Sequence, residues 1–297
     1  MQHVILLWDG SPVNYLKVCI QSLRLYNSQC SIYLHYLNKE VTKAYERFNI
    51  NFIKINREQF QGKRLFYKID QSRLLCERCE DGDQILVFDN DILFQNDPFN
   101  MFKETKDGDL YYTHCIMSKP ESLRPKELWD SMKYRVNGGT RGIIANQNSR
   151  RFLKFWTNNL LNPTWDKWIS YPPHKDHQKD KLRTVVDWWG DQDFLNCVDI
   201  NTPPFELKKV DATYRYNYFT STWGYFNKDL NMANKIGDQN FPVIHFKDNF
   251  KGVFNISNPN IYNIENILAK KDLTTPESRA KIKAKFLSRG EKRFHVV

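Results

Sequence analysis

The chain has 297 residues and is 41% hydrophobic and 26% charged, enough to bury one large core, and its 12 Gly and 12 Pro exclude a low-complexity chain. No run of about 18 apolar residues exists, which excludes a membrane span, and the first apolar stretch is cut by Trp8-Asp9-Gly10 too early for a signal peptide. The formal charge of +10 fits either a polyanionic ligand or a solvated basic surface; no helix-turn-helix, zinc-finger or RNA-recognition signature accompanies it. Six cysteines at irregular spacing fit reduced thiols and a cytoplasmic protein.

Taken in order, His3 to Leu7 reads as a strand. Ser11 and Pro12 open a helix with an apolar stripe through Leu16, Ile20, Leu23 and Leu25. Strands at Ile32 to Leu37 and Phe52 to Ile55 flank a short polar helix over 40–48. Leu65 to Cys79 has helical spacing, and Asp81-Gly82-Asp83 ends it. Ile85-Leu86-Val87-Phe88 is a continuous apolar strand. This β-α-β-α-β-α-β order predicts an α/β fold with a mostly parallel sheet and right-handed crossovers.

Beyond that strand, Asn96 or Asp97 is expected to cap a short helix opening at Pro98. Leu110 to Thr113 reads as a strand, Asn137-Gly138-Gly139 precedes another at Gly142 to Ala145, and Ser149 to Leu161 as a helix facing Phe152, Phe155 and Trp156 inward. Residues 163–187 lack periodicity and suggest a lid or binding loop. Asp191 to Val198 is a short helix, Val243 to Phe246 a late strand. Thr274 and Glu277, at capping-box spacing, open a basic terminal helix.

The chemistry concentrates where the apolar strand ends. Asp89-Asn90-Asp91 places two carboxylates one residue apart beyond a strand's carboxyl end, where ligands gather in parallel sheets, and such an oxygen-rich claw suits Mg²⁺ or Mn²⁺. The competing reading is a solvated turn. His245, inside an apolar strand, is either a core histidine or a third ligand. Lys247, Lys251 and Gly252 have the makings of a phosphate clamp or of an ordinary basic loop. Asn137-Gly138-Gly139 is either a tight turn or a place of close backbone approach to a ligand. Asp191-Gln192-Asp193 caps a helix or grips sugar hydroxyls. Cys76 and Cys79 lack a second pair to complete a zinc site and read as structural; His174 and His177 make only a weak metal candidate.

The order of these motifs resembles the GT-A fold of nucleotide-sugar glycosyltransferases, most like the retaining group of glycogenin and the lipo-oligosaccharide galactosyltransferases. The resemblance covers residues 1–255, a glycosyltransferase domain with a nucleotide-binding half (1–110) and an acceptor-side half (111–255); residues 256–297 form a basic helical extension. It implies that Asp89, Asp91 and His245 hold Mn²⁺ or Mg²⁺. Leu7, Trp8 and Asp9 lie where the family holds nucleobase and ribose. Arg73 falls near its donor-gripping basic residue, with Lys68 competing, and Asn90 lies within the metal motif. Asn137 and Gly139 match the segment facing the donor sugar, and Asp191 and Gln192 the pair beside the reacting carbon. Lys247 and Lys251 follow the late histidine, Lys251 matching a diphosphate contact. The family's fuller signature after that histidine is absent, lacking its first Gly and its Pro-Trp.

The resemblance implies a UDP-sugar donor, a glycan or glycolipid acceptor and retention of configuration. No nucleic-acid partner is expected. An inverting transferase, a Mg²⁺ phosphatase, a nucleotidyltransferase and a non-catalytic glycan-binding protein are the alternatives. The phosphatase reading is disfavoured because its Asp-x-Asp ordinarily follows the first strand. The tail, with Lys281, Lys283, Lys285, Arg289, Lys292 and Arg293, suits either contact with an anionic membrane surface or solvent.

Overall fold

Residues 1–8, 13–36, 48–55, 66–114, 136–171, 190–221 and 240–247 are described by a computed structural model. Apart from the helix expected between the second and third strands, which falls mostly outside the described residues, the first half follows the expected order: β1 (Gln2–Trp8), α1 (Val13–Tyr26), β2 (Ser31–Tyr36), β3 (Ile50–Lys54), α2 (Phe66–Arg78) and β4 (Gln84–Phe88). β1 pairs in parallel with both β2 and β4, and β2 in parallel with β3. A strand so enclosed has both faces covered, which is why β1 and β4 are written almost wholly in apolar residues.

The second half adds β5 (Ile92–Phe94), α3 (Asn100–Glu104), β6 (Leu110–His114), β7 (Val136–Ile144), α4 (Gln147–Leu161), α5 (Asp166–Ile169), α6 (Gly190–Ile200), β8 (Lys209–Asp211), β9 (Tyr218–Ser221) and β10 (Val243–Lys247). The large sheet has seven strands in the order β3-β2-β1-β4-β7-β6-β8, with β7 antiparallel to both neighbours. A small sheet, β5-β10-β9, hangs from the end of β4. The mostly parallel α/β architecture is therefore as expected.

Period-two alternation sorts the core onto the sheet's two faces. Val4, Leu6 and Trp8 meet Leu16, Ile20 and Leu23 of α1 together with the small sheet. Ile5 and Leu7 face the other way, towards Ile69 and Cys76 of α2, Phe152 and Trp156 of α4, and Phe194 of α6. There Trp156 and Phe194 stack with ring centroids 5.6 Å apart. Below the sheet, at the amino ends of β1 and β4, the buried Asp83 accepts from His3 Nε2 at 3.3 Å, from the Glu80 amide at 3.1 Å and from the Met1 amine. Burial alone would raise the Asp83 carboxyl; these donors outweigh it and hold the carboxyl below the usual range. Cys79 joins this cluster, and burial, then the Asp83 charge, pushes its thiol up to about 11.

Two local expectations are corrected. Asn137-Gly138-Gly139 is no turn before a strand: it lies within β7, whose nine residues run from Val136 to Ile144. The short helix begins at Asn100 rather than Pro98; Asp97 Oδ1 instead accepts from the Phe99 amide at 3.0 Å, making a turn before the helix. β8 and β9 were not anticipated. All of the expected polar helix except Phe48, together with Ser11 and Pro12, most of the 163–187 segment with His174 and His177, and the extension after Lys251, lie outside the described residues. Among the described residues, no helix is long and apolar enough to cross a membrane.

Candidate active site

β4 delivers Asp89 to the carboxyl edge of the large sheet, and the Asp89 amide closes the ladder onto Gly139 O of β7 at 3.0 Å. Three residues later, at Ile92, the chain enters β5 in the small sheet. The register of that sheet then decides which residue meets the pair, because antiparallel pairing sets His245 of β10 opposite Ile92, the residue after Asp91. His245 Nε2 lies 3.1 Å from Asp91 Oδ1 and 3.7 Å from Asp89 Oδ2. One ligand atom from each residue falls within 4.8 Å of the others.

The other imidazole nitrogen fixes the tautomer. A 3-10 turn, Tyr214–Asn217, brings Asn217 beside β10, and His245 Nδ1 donates to Asn217 Oδ1 at 2.9 Å. Asn217 Nδ2 in turn donates to Thr113 Oγ1 at 2.8 Å. With Nδ1 engaged in this way, the ring turns Nε2 towards the two carboxylates. Two carboxylate oxygens and an imidazole nitrogen converging on one point make a donor set that fits a divalent cation. Cys19 is buried nearby, and burial, with the Asp91 and Asp89 charges adding, pushes its thiol far above the usual range.

A second group of polar side chains borders the first. Lys68, buried on α2, donates to Asp89 Oδ1 at 2.6 Å and to Gly138 O at 2.7 Å. Arg141, fully buried on β7, donates through Nη2 to the same carbonyl at 2.9 Å and to Asp191 Oδ2 at 2.8 Å. The guanidinium also lies over the Trp156 ring, 5.0 Å from its centroid. Asp191 sits in the first turn of α6, where a negative charge complements the helix dipole. That helix is tied to β7 at two more points. The Val136 amide donates to Asn196 Oδ1 at 2.6 Å, and the Gly138 amide to Gln192 Oε1 at 3.3 Å.

The two glycines occupy the space through which these groups pass. A Cβ on Gly138 would stand 2.9 Å from Asp191 Oδ2, and one on Gly139 would stand 2.2 Å from His245 Cε1. Among the described residues, what approaches the strand closely at this motif is the side chains of Asp191 and His245. Asn137 is buried and its Oδ1 accepts from the Gly139 amide at 2.7 Å.

The structure thus gathers Asp89, Asp91, His245, Lys68, Asn137, Gly139, Asp191 and Gln192 around one strand edge. Asn90 lies between the paired carboxylates, half-buried. Arg73 is turned elsewhere: its guanidinium binds Asp70 at 2.7 Å and Glu77 at 2.8 Å along α2. Of the two competing basic residues, Lys68 is the one that touches the acidic pair. Leu7 and Trp8 are buried core residues at the end of β1. Lys247 ends β10, with only its backbone described; Asp9 and Lys251 lie outside the described residues. Arg141, Asn217 and Thr113 were missed. A lone arginine in a strand otherwise free of charge was a usable signal for the first; Asn217 and Thr113 offered none.

Residues 57–197 match the family profile described as nucleotide-diphospho-sugar transferase. That segment holds Lys68, Asp89, Asp91, Asn137, Arg141 and Asp191 and stops short of His245. No curated protein matches the sequence. Among solved structures, the chain is similar to the glycosyltransferase GlyE of Streptococcus pneumoniae TIGR4, with TM-score 0.53 and 14% identity over 97% of this chain. The chain spans 64% of that GlyE chain's length. It is also similar to an active-site Gln-to-Glu mutant of LgtC, with TM-score 0.53 and 18% identity over 95% of this chain and 99% of the other. The fold is that of the GT-A glycosyltransferases.

Proposed function

We propose that the protein is a metal-dependent glycosyltransferase that moves a sugar from a nucleoside-diphosphate sugar, a UDP-sugar, to a glycan or glycolipid acceptor with retention of configuration. The observation that carries this reading is the convergence of His245 Nε2 on Asp89 and Asp91 at the carboxyl edge of the sheet. The family match over 57–197 supplies the substrate class.

Asp89, Asp91 and His245 would hold Mn²⁺ or Mg²⁺. When bound, the ion supplies positive charge to the diphosphate as the bond to the anomeric carbon breaks. The residues of the chain do the rest. Asn217 keeps the His245 ring in the ligating tautomer, and Lys68 holds Asp89 in place by its Oδ1, leaving Oδ2 towards the histidine. Asp191 and Gln192 orient the donor sugar's hydroxyls beside the Gly138-Gly139 edge, and Asp191 stabilises positive charge developing on the sugar ring. Retention rests on the resemblance to the retaining group; the configuration of the product sugar, read by NMR, separates it from inversion.

Calorimetric titration of UDP, GDP and several UDP-sugars, with and without Mn²⁺, tests the reading. Metal-dependent binding of UDP is expected, and Asp91→Asn should abolish it and lower turnover about 100-fold or more while the fold persists. If no nucleotide binds in a metal-dependent way, the reading fails.

A further inference from the structure

Arg141 has no place in the resemblance, yet it is the most completely buried charge beside the site. Its side chain is fully enclosed on β7, and its partner Asp191 is 4% exposed. Burying a guanidinium is costly unless its donors are used and its charge is paired. Here one nitrogen does both, reaching Asp191 Oδ2 at 2.8 Å and Gly138 O at 2.9 Å, while Nε and Nη1 find no hydrogen-bond partner among the described residues. A side chain kept for stability alone is poorly served by such a bargain, because an apolar residue of similar volume fills a core without leaving two donors unmet.

The arrangement makes sense as a clamp on one carboxylate. Asp191 stands at the first turn of α6, and the segment just before Gly190 is not among the described residues, so within the described chain its aim is set from β7. Gly138 contributes space, since a Cβ there would stand 2.9 Å from Asp191 Oδ2, and Arg141 contributes the anchoring charge. The same Gly138 carbonyl also accepts from Lys68, which holds Asp89. One peptide oxygen is thereby shared between the cation that fixes the metal-side carboxylate and the cation that fixes the sugar-side carboxylate.

We infer that Arg141 is a positioning residue: through its ion pair it holds Asp191 at a fixed distance and angle from the Asp89–Asp91–His245 cluster, so that the donor sugar meets that carboxylate in a reactive pose. The inference rests on the proposed glycosyl transfer. It assigns Arg141 an effect on turnover rather than on nucleotide capture, because it touches neither metal-side oxygen of Asp89 nor Asp91.

The test uses release of UDP from UDP-glucose, UDP-galactose and UDP-N-acetylglucosamine by the full chain with Mn²⁺, alongside calorimetric binding of UDP with Mn²⁺ to count competent sites. Arg141→Met is expected to lower kcat per competent site about 100-fold, the cost of a misplaced reacting group, with UDP affinity held within about threefold. Arg141→Lys, which keeps the charge, should recover part of that loss. In an Asp191→Asn background, which removes the charge that Arg141 must pair, the further change to Met should cost less than about threefold, since both variants then remove one interaction. This double variant loses both charges together, so it folds even where the single Arg141→Met does not. A merely structural role would instead lower thermal stability in Arg141→Met and leave kcat per competent site unchanged; that result overturns the inference alone. A wild-type chain that neither binds UDP with Mn²⁺ nor cleaves any of the three donors overturns the proposed function and this inference together.

Discussion

A methyl group separates a working Gly139 from a blocked one. The Cβ of alanine would fall 2.2 Å from His245 Cε1, against a ring held by β10 and by Asn217, so the ring rather than the strand must shift. Gly139→Ala should weaken metal-dependent UDP binding at least about tenfold, the scale of a misoriented ligand, as read by calorimetry. Gly138→Ala is expected to differ. Its Cβ meets Asp191 Oδ2, so turnover should fall while UDP affinity stays near that of the wild type. Equal loss of affinity in both variants would contradict the division between a metal side and a sugar side. The same two residues mark the limit of what was legible in the sequence. Asp89 and Asp91 could be read locally, because an apolar run followed by two carboxylates carries its own explanation. Gly138 and Gly139 read either as a turn or as a close approach to a ligand, because the side chains demanding their smallness lie 50 to more than 100 residues away. Asn217 is invisible for a related reason: it follows a three-residue strand with no periodicity, and only the fold brings it to His245.

Among the elements, α4 shows how a start signal displaced from its expected place can be tested. The helix was expected from Ser149, but it begins at Gln147, with the Asn146 side chain accepting from the Ser149 amide at 2.8 Å. Asn146 Nδ2 also donates to Asp109 Oδ1 at 2.7 Å, tying the helix start to the beginning of β6. Asn146→Ala should cost about 1 kcal/mol, the usual worth of such a cap, or a fall in Tm of roughly 2–4 °C by calorimetry. An unchanged Tm would mean that the cap is replaced by water. The long parallel strands and helices were legible because their periodicity runs over many residues. β8 and β9, at three and four residues, are shorter than any such pattern, and their existence depends on β6 and β10 already being in place.

At the scale of the molecule, acid reads out the core. His35 of β2 is buried, and its burial, only partly offset by a hydrogen bond to the Leu6 backbone, lowers its pKa to about 4. Between pH 6.5 and 4 the unfolded chain therefore binds a proton that the native chain refuses, so stability falls as pH falls through that window. The loss reaches about 2 kcal/mol at pH 5 for this one group, and urea unfolding at pH 7 and pH 5 measures it. His35→Phe should flatten that part of the profile; an unaltered slope would exclude His35 as its source. Asp83 acts lower down: its carboxyl is held below the usual range, so its contribution, present near neutrality, disappears only as pH falls through that lowered value. The junction of the two sheets has a mechanical consequence. Asp89 is pinned to the large sheet through Gly139 O, His245 rides on the small one, and Asp91 sits at the seam, one residue before Ile92. The 3.7 Å and 3.1 Å gaps from His245 to the two carboxylates are thus a caliper whose jaws are separate sheets. A small rotation of one sheet against the other changes the spacing of these three groups without moving any residue within its own strand, so in the proposed metal site the preference for ion size would be written in the angle between the sheets.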